Sequence, residues 1–307
     1  MCAIIRRENV SIIRKGAKNG TGVSVVRTMD FIFADDVQQK QPSRPGMGPL
    51  VAAGGICVPG EAAGKLEGEI EALCAAYGFP AGEEFKWSPG QNLWMHRDLV
   101  EKERQRFFIQ VLTLAQDSGA SAVVVIEDAN CPLATEARSA DMDVTRLFLE
   151  RVDNHLGNRN SDGIVIVARP GGDRTAEDKF LAGCVETLQS RVGYVKPDHI
   201  VLNVLSSPFK LIRLLQVADV ITSCSTAAVG GEDCFSPPVF ASVKGLLAKK
   251  GDRIGGVGLK LHPYFMYANL YHWLVGDTHL WMSGTAFPLP LACYPYSSHP
   301  NTFSSWL

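Results

Sequence analysis

Short apolar runs alternate with stretches of helical spacing through most of the chain. Residues 31–35 (Phe-Ile-Phe-Ala-Asp) and 50–58 (Leu-Val-Ala-Ala-Gly-Gly-Ile-Cys-Val) predict two strands. The Pro/Gly loop at 37–49 joins them as antiparallel neighbours, and Pro59 ends the second. Gly54 and Gly55 inside that strand predict a bulge or a close backbone approach. Leu66, Ile70, Leu73, Cys74 and Tyr77 recur at helical spacing over 61–77, which stops at Gly78 and Pro80. Phe107, Phe108, Val111, Leu112 and Leu114 predict a helix at 99–116, leading into a strand at 122–126. A helix at 144–156, a strand at 163–167, a helix at 176–189 and a strand at 200–205 follow. Pro208 opens a long helix at 209–228, and further helices are expected at 240–249 and 266–275.

Wholly apolar runs bounded by helices belong to strands covered on both faces. The pattern therefore predicts an α/β domain over 29–230. A polar, weakly patterned and poorly ordered extension is expected at 1–28, and a helical, partly irregular annex packed on the domain at 231–307.

Composition narrows the function classes. With 46% hydrophobic and 20% charged residues and a formal net charge of −2, the chain carries no general basic field, so any nucleic-acid surface is local. Arg97/Lys102/Arg104/Arg106 and Lys249/Lys250/Arg253/Lys260 read as solvated faces. The eight cysteines contain no C-x-x-C pair and sit mostly in apolar runs, so buried free thiols are expected rather than a zinc cluster or a disulfide framework. No run has the length of a signal peptide core or a membrane span, which makes the cytoplasm the expected compartment and a membrane partner unexpected.

Chemistry is sought where carboxylates adjoin core elements, because burying an unpaired carboxylate costs several kcal/mol. Asp35, Glu84, Asp128 and Asp219 meet that criterion. Successive strand side chains face opposite sides, so only one of Asp35 and Asp36 can enter a given site. Asp219 lies mid-helix in Leu-Leu-Gln-Val-Ala-Asp-Val-Ile, with Leu215, Gln216 and Ser223 on the same face. Its charge needs a partner: either a hydrogen bond donated by Gln216 or a cation shared with acids from the sheet. Convergent carboxylates suit a hard ion such as Mg²⁺ or Mn²⁺, and a pair of such ions can activate water and stabilise the leaving oxygen of a phosphodiester. Lys86 serves as a phosphate contact or as the neutralising partner of Glu84.

The stretch Phe33-Ala34-Asp35-Asp36 with the strand at 50–58, the segment Glu84-Phe85-Lys86-Trp87-Ser88, and Ser207-Pro208 with Leu215-Gln216-Val217-Ala218-Asp219 resemble, in order, motifs of the family called domain of unknown function 3800. The resemblance covers roughly residues 30–230. It implies a ribonuclease H-like mixed sheet flanked by helices, and a nuclease acting on RNA or DNA with Asp35, Glu84 and Asp219 as ligands of a divalent metal. Two departures stand against it. The family's Asp-Glu-Ser-Gly turn is here Asp35-Asp36-Val37-Gln38, and its acid at the end of the strand at 163–167 is replaced by Ala168-Arg169. Asp128 or Asp173 would have to substitute. The alternative reading is a catalytically inactive binding module that keeps the fold.

Two other motifs carry less. The glycine-rich 251–258 with Lys260 follows a predicted helix rather than a strand and reads as a plain loop. Tyr264, Tyr267, Tyr271 and Trp273 read as an aromatic stripe on the core.

Overall fold

Strand β1 (Thr28–Gln39) alternates in burial and runs further than the apolar pattern predicts, carrying Asp35 within the strand rather than at its end. The computed structural model describes residues 27–130, 140–171, 174–189, 197–282 and 284–289. The expected extension falls largely outside them, as do Asp173 and most of the tail beyond 284. After β1 come β2 (Leu50–Pro59), α1 (Gly60–Ala76), α2 (Trp94–Asp98), α3 (Glu101–Asp117), β3 (Ser121–Asp128), α4 (Ala140–Arg159), β4 (Ser161–Ala168) and α5 (Arg174–Gln189). Then follow β5 (Leu205–Ser207), α6 (Arg213–Gly230), α7 (Ser236–Leu246), β6 (Leu259–His262), α8 (Tyr264–Leu270), β7 (His279–Met282) and β8 (Thr285–Pro288).

Six strands form one mixed sheet in the order β5-β4-β1-β2-β3-β6. Strands β1, β2 and β3 make an antiparallel meander, and β4 and β5 extend it in parallel beyond β1. The sixth strand, parallel to β3, comes from residues beyond 230. The β1–β2 ladder runs unbroken from Asp30↔Pro59 to Gln39↔Leu50, so the two glycines make no bulge. They mark close approaches instead: a Cβ on Gly54 would lie 2.6 Å from Thr222 Oγ1, and one on Gly55 would lie 2.2 Å from the Phe33 carbonyl. The strand expected at 200–205 is shorter and later. Ile200 makes one isolated bridge to Gly163, and regular pairing begins at Leu205.

Strand parity sorts the core into two layers. Phe33, Ala52, Ile56 and Val58 pack against α1, α3, α6 and α7, whereas Ile32, Ala34, Val51 and Ala53 pack against α4 and α5. Helix α6 is buried almost all round, the signature of a central core helix. Two of its hydroxyls bond back within the helix, Ser225 donating to the Ile221 carbonyl at 2.7 Å and Thr226 to that of Thr222 at 2.8 Å, while the buried Thr222 Oγ1 has no hydrogen-bond partner. The expected start at Pro208 becomes a 3₁₀ turn (Phe209–Leu211), and α6 itself begins at Arg213. There Glu67 of α1 accepts the backbone N–H groups of Arg213 at 2.6 Å and Leu214 at 3.1 Å, which supplies the cap that the local sequence lacks. Gly231, in the left-handed region at φ 85°, ends the helix.

Among the described residues no helix is long and apolar enough to cross a membrane. Cys57, Cys74, Cys184 and Cys224 are free and buried, as their apolar settings predict, while Cys234 is free and exposed.

Candidate functional site

Asp35 has the parity of Phe33 and faces α6, which lies across β1 and β2. Asp36 takes the opposite face, toward Asp141 of α4. Strand alternation thus admits one of the two acids to the α6 side, and it is Asp35. Helix α6 brings Asp219 to the same place. Asp35 is pushed up to about 8, first by burial and next by the charge of Asp219, with Asp36 adding to it; the N–H of Asp36 and the amine of Lys86 pull the other way. Asp219 is also raised, chiefly by burial, against the hydrogen bonds it accepts and the charge of Lys86, with Glu84 pushing it further up. Three carboxylates therefore sense one another or a shared lysine.

The segment carrying Glu84 and Lys86 has no regular structure, and α6 positions it. Arg213 Nη1 donates to the Glu83 carbonyl at 2.6 Å, Gln216 Oε1 accepts the Phe85 N–H at 3.1 Å, and Asp219 Oδ2 accepts the Trp87 N–H at 2.8 Å. Alternate residues of an extended segment are matched to every third residue of a helix, so one stripe of α6 grips the chain along its length. Phe85, between the grips, is fully buried, while Glu84 and Lys86 are half-buried. The Lys86 amine lies 3.9 Å from a Glu84 oxygen and 4.4 Å from the centroid of the Phe209 ring. Glu83 Oε1 accepts the N–H of Trp94 at 2.7 Å, anchoring the far end of the segment to α2.

Gln216 differs from its expected role. It makes no bond to Asp219; its oxygen accepts from Phe85 and from Arg213 Nη1 at 2.8 Å. Asp219 finds its side-chain partner in Ser223, which donates to Oδ1 at 3.1 Å. No single position announced this pairing of segment and helix; the only trace in the sequence is the three-residue spacing of Arg213, Gln216 and Asp219.

Asp128 does not join the cluster. Asp35 is registered opposite Gly54, and Gly54 opposite Val124, so Asp128 stands four residues further along β3. On ordinary strand spacings that separates its Cα from that of Asp35 by roughly 16 Å. Its oxygens are occupied: they accept the N–H groups of Gly48 at 3.0 Å and Asn130 at 2.9 Å and the hydroxyl of Tyr267. Asp128 is a structural acid that ties β3 to the loop before β2 and to α8. The end of β4 supplies no substitute. The β1–β4 ladder closes at Ala34↔Val167, which leaves Ala168 next to Asp35. Arg169 is turned to Glu177 of α5, its Nε 3.2 Å from Oε2.

Asp35, Glu84 and Asp219 are half-buried and offer only oxygen donors, the ligand type that a hard divalent cation takes; such an ion would offset the burial and the charge of Asp219 that raise Asp35. Among the described residues, the one acidic group whose ligand atoms all lie within 4.8 Å of one another is Glu232, Asp233 and Cys234; the oxygens of Asp35, Glu84 and Asp219 are more widely spread. Glu232 there accepts the N–H groups of Cys234 at 2.9 Å and Phe235 at 2.8 Å and so caps the start of α7.

Comparison with protein-family models and with curated proteins finds no match for this chain.

Proposed function

We propose that the protein is a divalent-metal-dependent nuclease that hydrolyses phosphodiesters of RNA or DNA and belongs to the domain of unknown function 3800 family, with a ribonuclease H-like fold. The single observation that carries this reading is that Asp35 of β1 and Asp219 of α6, distant in sequence, come together on the α6 side of the sheet, where the charge of Asp219 adds to burial in raising the proton affinity of Asp35. The antiparallel meander extended by parallel strands beyond β1 supports the fold assignment. Asp35, Glu84 and Asp219 would hold Mg²⁺ or Mn²⁺. When bound, the ion supplies a Lewis acid for the phosphoryl oxygen and lowers the pKa of attacking water. The chain's own contribution is position: α6 fixes Glu84 through the Phe85 and Trp87 amides, and Lys86 beside Phe209 offers a cation to a phosphate oxygen.

The test has two arms. Millimolar Mn²⁺ should raise the melting temperature of the wild type and not of Asp35→Asn, since a ligand bound only by the folded state stabilises it. Labelled single- and double-stranded RNA and DNA should then be cleaved with Mn²⁺ by the wild type and left intact by Asp219→Asn. Cleavage that persists in both variants would refute the assignment of the site.

A second reading, the inactive module, is favoured by one observation: Ala168 and Arg169 place no carboxylate beside Asp35. The absence of any Mn²⁺-induced shift in the wild type would select it.

A further inference from the structure

We propose that Lys260 of β6 and Arg146 and Arg151 of α4 form a phosphate-binding site on the face of the sheet opposite the Asp35–Asp219 cluster. Lys260 is registered beside Val125, whose side chain belongs to the core layer under α4. Lysine is seldom withdrawn from water without an acid to pair with. Lys260 nevertheless is half-buried and, among the described residues, makes no hydrogen bond or ion pair. Its amine is lowered to about 8, first by burial and then by the positive charge of Arg151, with Glu150 acting in the opposite direction and Arg146 lowering it further.

The two arginines have capacity to spare. Arg151 is anchored by Nη1 on the Gly256 carbonyl at 2.7 Å and by Nη2 on Glu150, yet its buried Nε has no hydrogen-bond partner. Arg146 holds Asp143 only at 3.7 Å, and its side chain is 39% exposed. Glu127, two positions along the same face, has Oε2 3.3 Å from His262 Nδ1, with neither atom in a hydrogen bond. Arg146 and Arg151 thus have Asp143 and Glu150 beside them, and Lys260 is the cation of the three that no carboxylate reaches in an ion pair among the described residues. Forked guanidinium donors beside a lysine are the donor set that a tetrahedral oxyanion satisfies.

The glycine-rich loop at 251–258 takes part in an unexpected way. Its amides point inward: Ile254 and Gly255 donate to Asp277, Gly256 to the Leu259 carbonyl, and Val257 and Gly258 to that of Ile254. The loop is no backbone cradle for phosphate. It presents the Gly256 carbonyl that fixes Arg151, and recognition falls to side chains.

The shared chemistry is a phosphate group, carried either by a small soluble phosphate or by a nucleic-acid backbone. Titration calorimetry with inorganic phosphate and, separately, with a short oligonucleotide in the absence of divalent metal tests the site. The expected result is saturable binding of at least one probe by the wild type, at least tenfold weaker in Lys260→Met and in Arg146→Met, retained in Lys260→Arg and unchanged in Asp35→Asn. Phosphate without oligonucleotide binding identifies a small ligand as the source; binding of the oligonucleotide identifies the nucleic-acid backbone. Binding of neither probe, or equal binding by correctly folded Lys260→Met, overturns the proposal whatever the fate of the nuclease reading.

Discussion

The Oδ2 atom of Asp219 accepts the backbone N–H of Trp87 at 2.8 Å, so the acid that faces Asp35 also holds the segment that delivers Glu84 and Lys86. One residue does electrostatic and positional work at once, and its substitutions separate the two.

Asp219→Asn keeps an acceptor for the Trp87 amide, whereas Asp219→Ala leaves that buried N–H unsatisfied. The alanine variant is expected to lose about 1–3 kcal/mol of stability and the asparagine variant clearly less. Both are expected to lose Mn²⁺ binding. Denaturant melts paired with calorimetry check this; equal stability of the two variants would contradict the hydrogen bond's role.

Asp35 keeps its proton in the folded protein up to about pH 8, whereas an unfolded chain releases it near pH 4. Across that window the unfolded state binds fewer protons, so this residue makes stability fall as pH rises from about 4 to about 8. Asp35→Asn removes the dependence. Without metal, the variant is expected to be more stable than the wild type at pH 8 by about 1–3 kcal/mol and to match it near pH 4. Urea melts at several pH values read this difference directly.

Gln216→Leu removes the acceptor for the Phe85 N–H and for Arg213 Nη1. A loss of about 1–3 kcal/mol is expected, with weaker metal binding although no ligand is touched, because Glu84 is released with its segment. Faster amide exchange over residues 83–87 should accompany it.

A Cβ at Gly54 would stand 2.6 Å from Thr222 Oγ1, at the position registered opposite Asp35. Gly54→Ala is expected to push α6 away from the sheet at a cost of about 1–3 kcal/mol. The double variant with Thr222→Ala should recover most of that loss, since the second change removes the clashing atoms. A double-mutant cycle on melting data decides it.

Asp128→Asn offers a control. Its contacts to Gly48, Asn130 and Tyr267 make it structural, so stability should fall while Mn²⁺ affinity of the folded protein stays within about twofold of wild type. A large loss of affinity would return Asp128 to the metal site.

Local pattern determined much of this molecule. The strand read at 31–35 placed Asp35 and Asp36 on opposite faces, and helical spacing placed Gln216, Asp219 and Ser223 on one side of α6, because side-chain direction follows from the geometry of a single strand or helix. Which face met which helix was decided elsewhere. That Asp128 is consumed by Gly48, Asn130 and Tyr267, that Gln216 grips Phe85 rather than Asp219, and that β6 joins the sheet from beyond residue 230 all depend on partners far away in the chain. A hydrogen bond between distant residues leaves no period in the sequence. Only the packing of α6 across β1 and β2 selects which acids become neighbours.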